Sequence, residues 1–197
     1  MNKTKFAFEK TLFMLLEKKN YHDITINEIC DVAKKAKMTF YRYYKDKEHL
    51  LAEASINLVN REYGEGYNKI LAKEKDPEEI EYQSFLITFE LVAKHHGQIS
   101  NLVYRGDRFP LEVFKNALFE NYQKQFADFF NTGDYDIPSN FLSIFFFEGL
   151  YNSSLYYAKQ LKTNKNKNKI IEDNKKMCRI LAKIDIGLIE KYPFPNV

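Results

Sequence analysis

The chain has 197 residues, of which 45% are hydrophobic and 29% charged, with a formal net charge of +3. That length can bury a substantial core, and the balance of residues is ordinary for a soluble protein. Seven Gly, five Pro and scarce β-branched alternation argue against a strand-rich design, and +3 is too small to mark a nucleic-acid binder on its own.

The distribution of charge says more than the total. Residues 1–51 hold eleven Lys and Arg against seven Asp and Glu, whereas the remainder holds nineteen against twenty. A basic first quarter suits an anionic partner. Cys30 and Cys178 each fall on an apolar helical stripe and read as buried, reduced thiols. No secretory pattern is expected at the start, because Glu9 and Lys10 interrupt Phe6, Phe8, Leu12 and Phe13. The most apolar window, Phe141 to Ala158, contains Glu148, Asn152, Ser153 and Ser154, which suits a buried helix better than a membrane span. The expectation is a cytoplasmic protein with no membrane partner.

In chain order, Lys3–Lys18 reads as an amphipathic helix. Thr25-Ile-Asn-Glu28 has the form of a capping box, and Ile26, Ile29, Cys30 and Ala33 follow at helical spacing. After a break at Lys34–Ala36 comes a short helix, Lys37–Tyr43. Asp46 is placed to cap a fourth helix reaching about Lys73, and Asp76-Pro77-Glu78-Glu79 starts a fifth that Gly97 should stop. A short helix is expected at Gln98–Tyr104, then one from Pro110 carrying Phe114 and Leu118, then an aromatic helix Ser139–Leu161. The run KTNKNKNK, Lys162–Lys169, reads as a flexible loop before a last helix, Ile170–Lys191. The fold class is therefore all-α, with about nine helices.

The second and third helices form a helix-turn-helix, whose second helix enters the major groove. Phe40 and Tyr44, four apart, pack inward. Lys37, Met38, Thr39, Tyr41, Arg42 and Tyr43 project elsewhere and supply phosphate donors, a guanidinium for a guanine edge, and surfaces for thymine methyls. Lys47 opens the next helix, where a cation and free amides can meet one phosphate.

Over Phe13–Leu51, and above all in ITINEICDVA and TFYRYYKDKEHLL, the chain resembles the N-terminal DNA-binding domain of the TetR family of transcriptional regulators. The resemblance implies a domain over residues 1–46 that binds double-stranded operator DNA. It implies a helical ligand-binding and dimerisation body over 47–197. By position, Thr25, Thr39, Tyr43 and Lys47 would meet the DNA backbone, and Lys37, Met38, Tyr41 and Arg42 the bases. A small-molecule effector would enter the body. Tyr67, Phe89, Tyr104, Phe114, Phe147 and Tyr151 are candidates to line its site, against the simpler reading that aromatics at this spacing fill a core. The family dimerises through its last two helices, which brings forward Phe145, Gly149, Ser153, Ile180, Ile184 and Leu188.

The chain departs from the family pattern at the turn. Lys34 stands for the usual glycine, Lys35 for a buried valine, Ala36 for serine and Met38 for a frequent glycine. A left-handed lysine costs roughly 1 kcal/mol, and Lys35 could lay its methylenes on the core with its charge in water. These departures motivate an alternative: a TetR-like protein that no longer reads an operator and acts by binding another regulator. No cofactor is implied and no enzyme is expected. A lone Asp46-x-x-His49 lacks the second unit and extra carboxylates of a di-iron bundle, and no Gly-x-Ser-x-Gly, phosphate loop or Cys-x-x-Cys occurs.

Overall fold

The computed structural model describes residues 2–103, 105–125 and 139–191, without the side chains of residues 125, 139, 140, 142 and 185–191. Among these residues the elements are all helices: α1 (Lys3–Leu16), a 3₁₀ turn (Tyr21–Asp23), α2 (Ile26–Ala33), α3 (Lys37–Tyr43), α4 (Lys47–Leu71), α5 (Pro77–Ser100), α6 (Phe109–Gln125), α7 (Ser139–Thr163) and α8 (Lys167–Lys191). No helix among them is long and apolar enough to cross a membrane. Tyr104 and residues 126–138, where the helix from Pro110 was expected to end, lie outside the described residues, as does the side chain of Leu188.

Most helix starts obey the capping chemistry in the sequence. Asp46 Oδ1 accepts the His49 amide at 2.7 Å, and Asp76 Oδ1 accepts that of Glu78 at 3.1 Å. Two boundaries differ from expectation. Helix α5 does not stop at Gly97 but runs to Ser100. A mid-helix glycine costs only about 1 kcal/mol, and Gln98 and Ile99, just beyond it, are buried and anchored by packing. The Lys162–Lys169 run is not a loop: α7 extends to Thr163 and α8 starts at Lys167, leaving three linking residues. Its asparagines explain this. Asn164 Oδ1 accepts the Asn166 amide at 3.0 Å, and Asn166 Oδ1 accepts the Lys169 amide at 3.2 Å, which caps α8.

The chain divides into two compact units. The first holds residues 1–59 and 97–121. Its core is Phe8, Leu12, Leu16, Ile24, Ile29, Phe40, Tyr44, Leu50 and Leu51, each at most 1% exposed, with Cys30 beside them. Asn101 clasps the end of α1 by donating from Nδ2 to the Leu16 carbonyl at 2.7 Å and accepting the Tyr21 amide at 2.9 Å.

The second unit holds residues 60–96 and 122–197. Phe89, Tyr157 and Cys178 form its centre, with Tyr82, Phe85, Leu86, Leu150 and Met177 packed around them. Burial pushes the Cys178 thiol up to about 11, so it is a neutral packing group. Helices α4 and α5 approach closely at Gly66, where an added Cβ would lie 2.8 Å from Ile87 Cδ1. Two ion clusters tie the helices. Arg179 on α8 meets Glu79 on α5 at 2.7 Å and lies 3.6 Å from the Tyr82 ring centre. Glu62 on α4 meets Lys94 at 2.7 Å and His95 at 3.2 Å, both on α5.

Burial alone would raise the Glu62 carboxyl pKa, but hydrogen bonds and charge from Lys94 and His95 outweigh it and leave the pKa below its usual 4.5. A depressed folded pKa contributes stability that is complete above the unfolded value and lost as pH falls through the folded one. Glu62→Gln should therefore lower the melting temperature at neutral pH. The difference from wild type should close as pH falls below 4.5, as measured by thermal melts across an acid series.

Candidate nucleic-acid interface

The site is built from α2, the turn and α3. Thr25 caps α2 by accepting the Glu28 amide at 3.1 Å, which leaves the threonine hydroxyl proton to donate. The second half of the expected capping box does not form. Glu28 turns its carboxylate to Lys19 Nζ at 2.6 Å, a charged partner stronger than an amide.

At the turn, Lys34 adopts φ 53° and ψ 48°, the left-handed conformation that glycine usually supplies. The Lys35 amide bonds the Cys30 carbonyl at 2.9 Å and the Lys34 amide bonds that of Asp31 at 3.1 Å. These two bonds complete a Schellman closure of α2, so lysine makes the glycine turn at a local steric cost. Lys35 is exposed rather than folded over the core. Ala36 offers α3 no side-chain cap, and its carbonyl instead accepts the Thr39 and Phe40 amides at 2.9 and 3.2 Å.

Helix α3 is seated by its aromatics. The Phe8 ring meets Phe40 and Tyr44 edge-on, at centroid distances of 5.5 and 6.2 Å. Tyr44 donates its hydroxyl to the buried Glu9 carboxylate at 3.2 Å, and Asn57 Nδ2 donates to the same oxygen at 2.9 Å. Burial, then the Glu9 charge, raises the Tyr44 pKa well above the phenol range, so it is a permanent donor. With Phe40 and Tyr44 buried, the opposite face is presented to solvent. Met38 is 79% and Tyr41 51% exposed, and Lys37 and Arg42 stand beside them without an ion pair among the described residues. Thr39 and Tyr43 are half-buried at the margins. Tyr43 accepts from Asn2 Nδ2 at 3.2 Å and keeps its own proton to donate.

Lys47 is placed differently from the other candidates. Its Nζ donates to the Tyr21 and Ile24 carbonyls, both at 2.8 Å, and sits 4.0 Å from the Tyr21 ring centre. Two of its three N–H donors are thus committed to holding the segment before α2, and one remains. Sequence spacing gave no sign of this strut, because carbonyl partners leave no side-chain pattern.

The sequence of this site matches a known family. Residues 10–54 fit the profile of bacterial regulatory proteins of the tetR family. The N-terminal segment is thus similar to the DNA-binding head of the TetR family. No curated protein matches the chain. Solved structures share the fold along most of it. A Syntrophomonas wolfei protein assigned to the TetR family has a TM-score of 0.64 at 19% identity, covering 92% of this chain and 96% of that one. The fatty acid degradation regulator FadR from Bacillus halodurans has a TM-score of 0.58 at 13% identity, covering 91% and 96%. FadR from Bacillus subtilis, solved with stearoyl-CoA, has a TM-score of 0.56 at 12% identity, covering 90% and 96%. The TetR resemblance read from the sequence thus stands, and so does the all-α architecture.

The other candidates fall into three groups. Phe114 is buried in the first unit, while Tyr67, Phe89, Phe147 and Tyr151 belong to the second. Phe147 stacks on Tyr151 at 5.8 Å, Tyr67 stacks on Tyr63 at 5.8 Å, and Phe89 is enclosed in the core. In the third group, Phe145, Ile180 and Ile184 are 67%, 59% and 52% exposed, Gly149 is open to solvent, and Ser153 is half-buried.

Replacing the left-handed lysine should separate strain from fold. Lys34→Gly should stabilise the protein by about 0.5–1 kcal/mol, since relief of the Cβ clash exceeds glycine's added unfolded-state freedom. Urea unfolding monitored by circular dichroism would read this, and a loss of stability would show that φ 53° carries no steric cost here.

Proposed function

We propose that the protein is a ligand-responsive transcriptional repressor that binds palindromic operator DNA as a homodimer and is released by a small molecule. The observation that carries this is the two-faced α3: Phe40 and the adjoining Tyr44 fully buried, Lys37, Met38, Tyr41 and Arg42 exposed. Arg42 and Lys37 suit guanine edges, Met38 and Tyr41 suit thymine methyls. The spare protons of Thr25 and Tyr43, the Thr39 hydroxyl and the remaining Lys47 N–H suit phosphate oxygens. In this reading residues 1–46 read DNA and 47–197 bind effector and partner. The TetR-family match and the closed Lys34 turn favour operator reading over the alternative of a protein that acts only by binding another regulator.

Dimerisation is supported by an exposed apolar stripe on α7 and α8. Phe141, Ile144, Phe145 and Tyr156 on α7, with Ile180 and Ile184 on α8, are all at least 44% exposed. Large exposed apolar side chains at helical spacing on paired helices mark an interaction surface. The effector is taken to be a largely apolar small molecule in the aromatic body, with Tyr67, Phe147 and Tyr151 of the second unit as its lining candidates. The ligand of the Bacillus subtilis neighbour makes stearoyl-CoA the first probe.

The direct test is selection of bound duplexes from a genomic pool, followed by anisotropy on the selected site. Arg42→Ala should cost about 1–3 kcal/mol on that site and relax preference at one base position, whereas Thr39→Ala should weaken all sequences equally. No preference over random duplex at low salt would overturn the reading. Ile180→Asp with Ile184→Asp should yield a folded monomer by sedimentation and a much weaker operator complex, since charges on a buried apolar interface go unpaired.

A further inference from the structure

The charge of this chain is segregated more sharply than its total suggests. Between Glu148 and Glu172 there is no acidic residue, and the interval holds Lys159, Lys162, Lys165, Lys167 and Lys169. Residues 1–51 carry a net +4 and this interval +5, while all other residues together hold fourteen Lys and Arg against twenty Asp and Glu, a net −6. Two basic regions thus stand on an otherwise acidic chain, and only one of them is the helix-turn-helix.

The second basic region is fixed in place. It lies on the hairpin between α7 and α8, with the Asn164 and Asn166 side chains holding the three-residue link. All five lysines are exposed, and among the described residues none pairs with a carboxylate. Glu172, the acid that closes the interval in sequence, is taken by Lys175 at 3.0 Å. Lys167 and Lys169 occupy the first turn of α8, which contains no acidic residue, so they sit where the helix dipole disfavours cations. The field is felt nearby: burial first, and then the Lys162 charge, lowers the His96 pKa. A cluster that breaks a local rule without local return is a candidate for function.

The chemistry selects the partner. Lys162–Lys169 contains only Lys, Asn and one Thr, with no apolar side chain to enter a membrane or fill a protein hot spot. Cations interleaved with amide donors on a fixed backbone match a repeating phosphate chain, and binding there loses little further entropy. We infer that the α7–α8 hairpin is a sequence-independent contact for the phosphate backbone of double-stranded DNA, separate from the helix-turn-helix. This rests on the reading of the chain as a DNA-binding regulator.

The test uses the full chain with Lys162, Lys165, Lys167 and Lys169 all changed to Gln, exposed positions where folding is not at stake. Affinity is titrated against salt for a duplex carrying the selected site and for one of random sequence. Each phosphate contact contributes about 0.9 to the slope of log affinity on log salt, so the variant's slope should be shallower by about 2–3 on both duplexes, with the preference between them unchanged. An unchanged slope overturns the inference and leaves the regulator reading intact. A wild-type protein with no preference for any site, yet a hairpin-dependent slope on random duplex, overturns the regulator reading and keeps the inference. Hairpin-dependent binding to phosphatidylcholine–phosphatidylserine vesicles, with DNA slopes unchanged, assigns the surface to membranes and overturns it as well.

Discussion

The head depends on one contact, the seating of Phe40 and Tyr44 on Phe8. Three aromatic rings within 6.2 Å of one another fix α3 in both position and rotation. Rotation is the quantity that matters for reading a groove, because a helix turned by one residue would bury Tyr41 and expose Phe40. The buried Glu9 reinforces the choice. Its carboxylate would be costly without partners, and the Tyr44 hydroxyl and Asn57 amide supply them only in this register. Apolar packing sets the position and a polar network rejects the alternatives.

The turn before α3 shows how a fold absorbs an unfavourable residue. Lys34 meets a steric penalty at φ 53°, yet both closing hydrogen bonds form at ordinary lengths. The penalty is small beside the burial of Phe40, Tyr44, Ile29 and Cys30 around it, each of the larger apolar groups contributing roughly 1.5–3 kcal/mol. Local preference yields where tertiary packing is this dense. The same ordering explains Gly97, which signals a helix end in the sequence and lies inside α5 in the structure.

Much of this was legible in advance. The bounds of α3, the cap at Thr25, the inward pair Phe40 and Tyr44, and the exposure of Lys37, Met38, Tyr41 and Arg42 all follow from helical spacing and side-chain type. What escaped were partnerships without a sequence signature. Lys47 bonds backbone carbonyls, which any residue presents. Glu28 leaves the capping amide for a lysine on another helix end. The asparagines of the α7–α8 hairpin look like loop formers by composition, but their side chains act as caps, and capping turns a polar run into two helix ends. In the body, aromatic spacing announces packing and cannot distinguish a residue such as Phe89, enclosed at the centre, from Phe145, which faces solvent on the same kind of pattern.

The two cysteines lend the molecule a property of a different kind. Cys30 lies in the core of the first unit and Cys178 in that of the second, and both thiols are free. Burial raises both pKa values, so neither is a good nucleophile while its unit is closed. Alkylation then waits on local opening, and its rate at each sulfur measures how often that unit opens. The native sequence carries a built-in reporter for each unit, with no label to introduce, and the two signals are separable by the peptide on which the adduct is found.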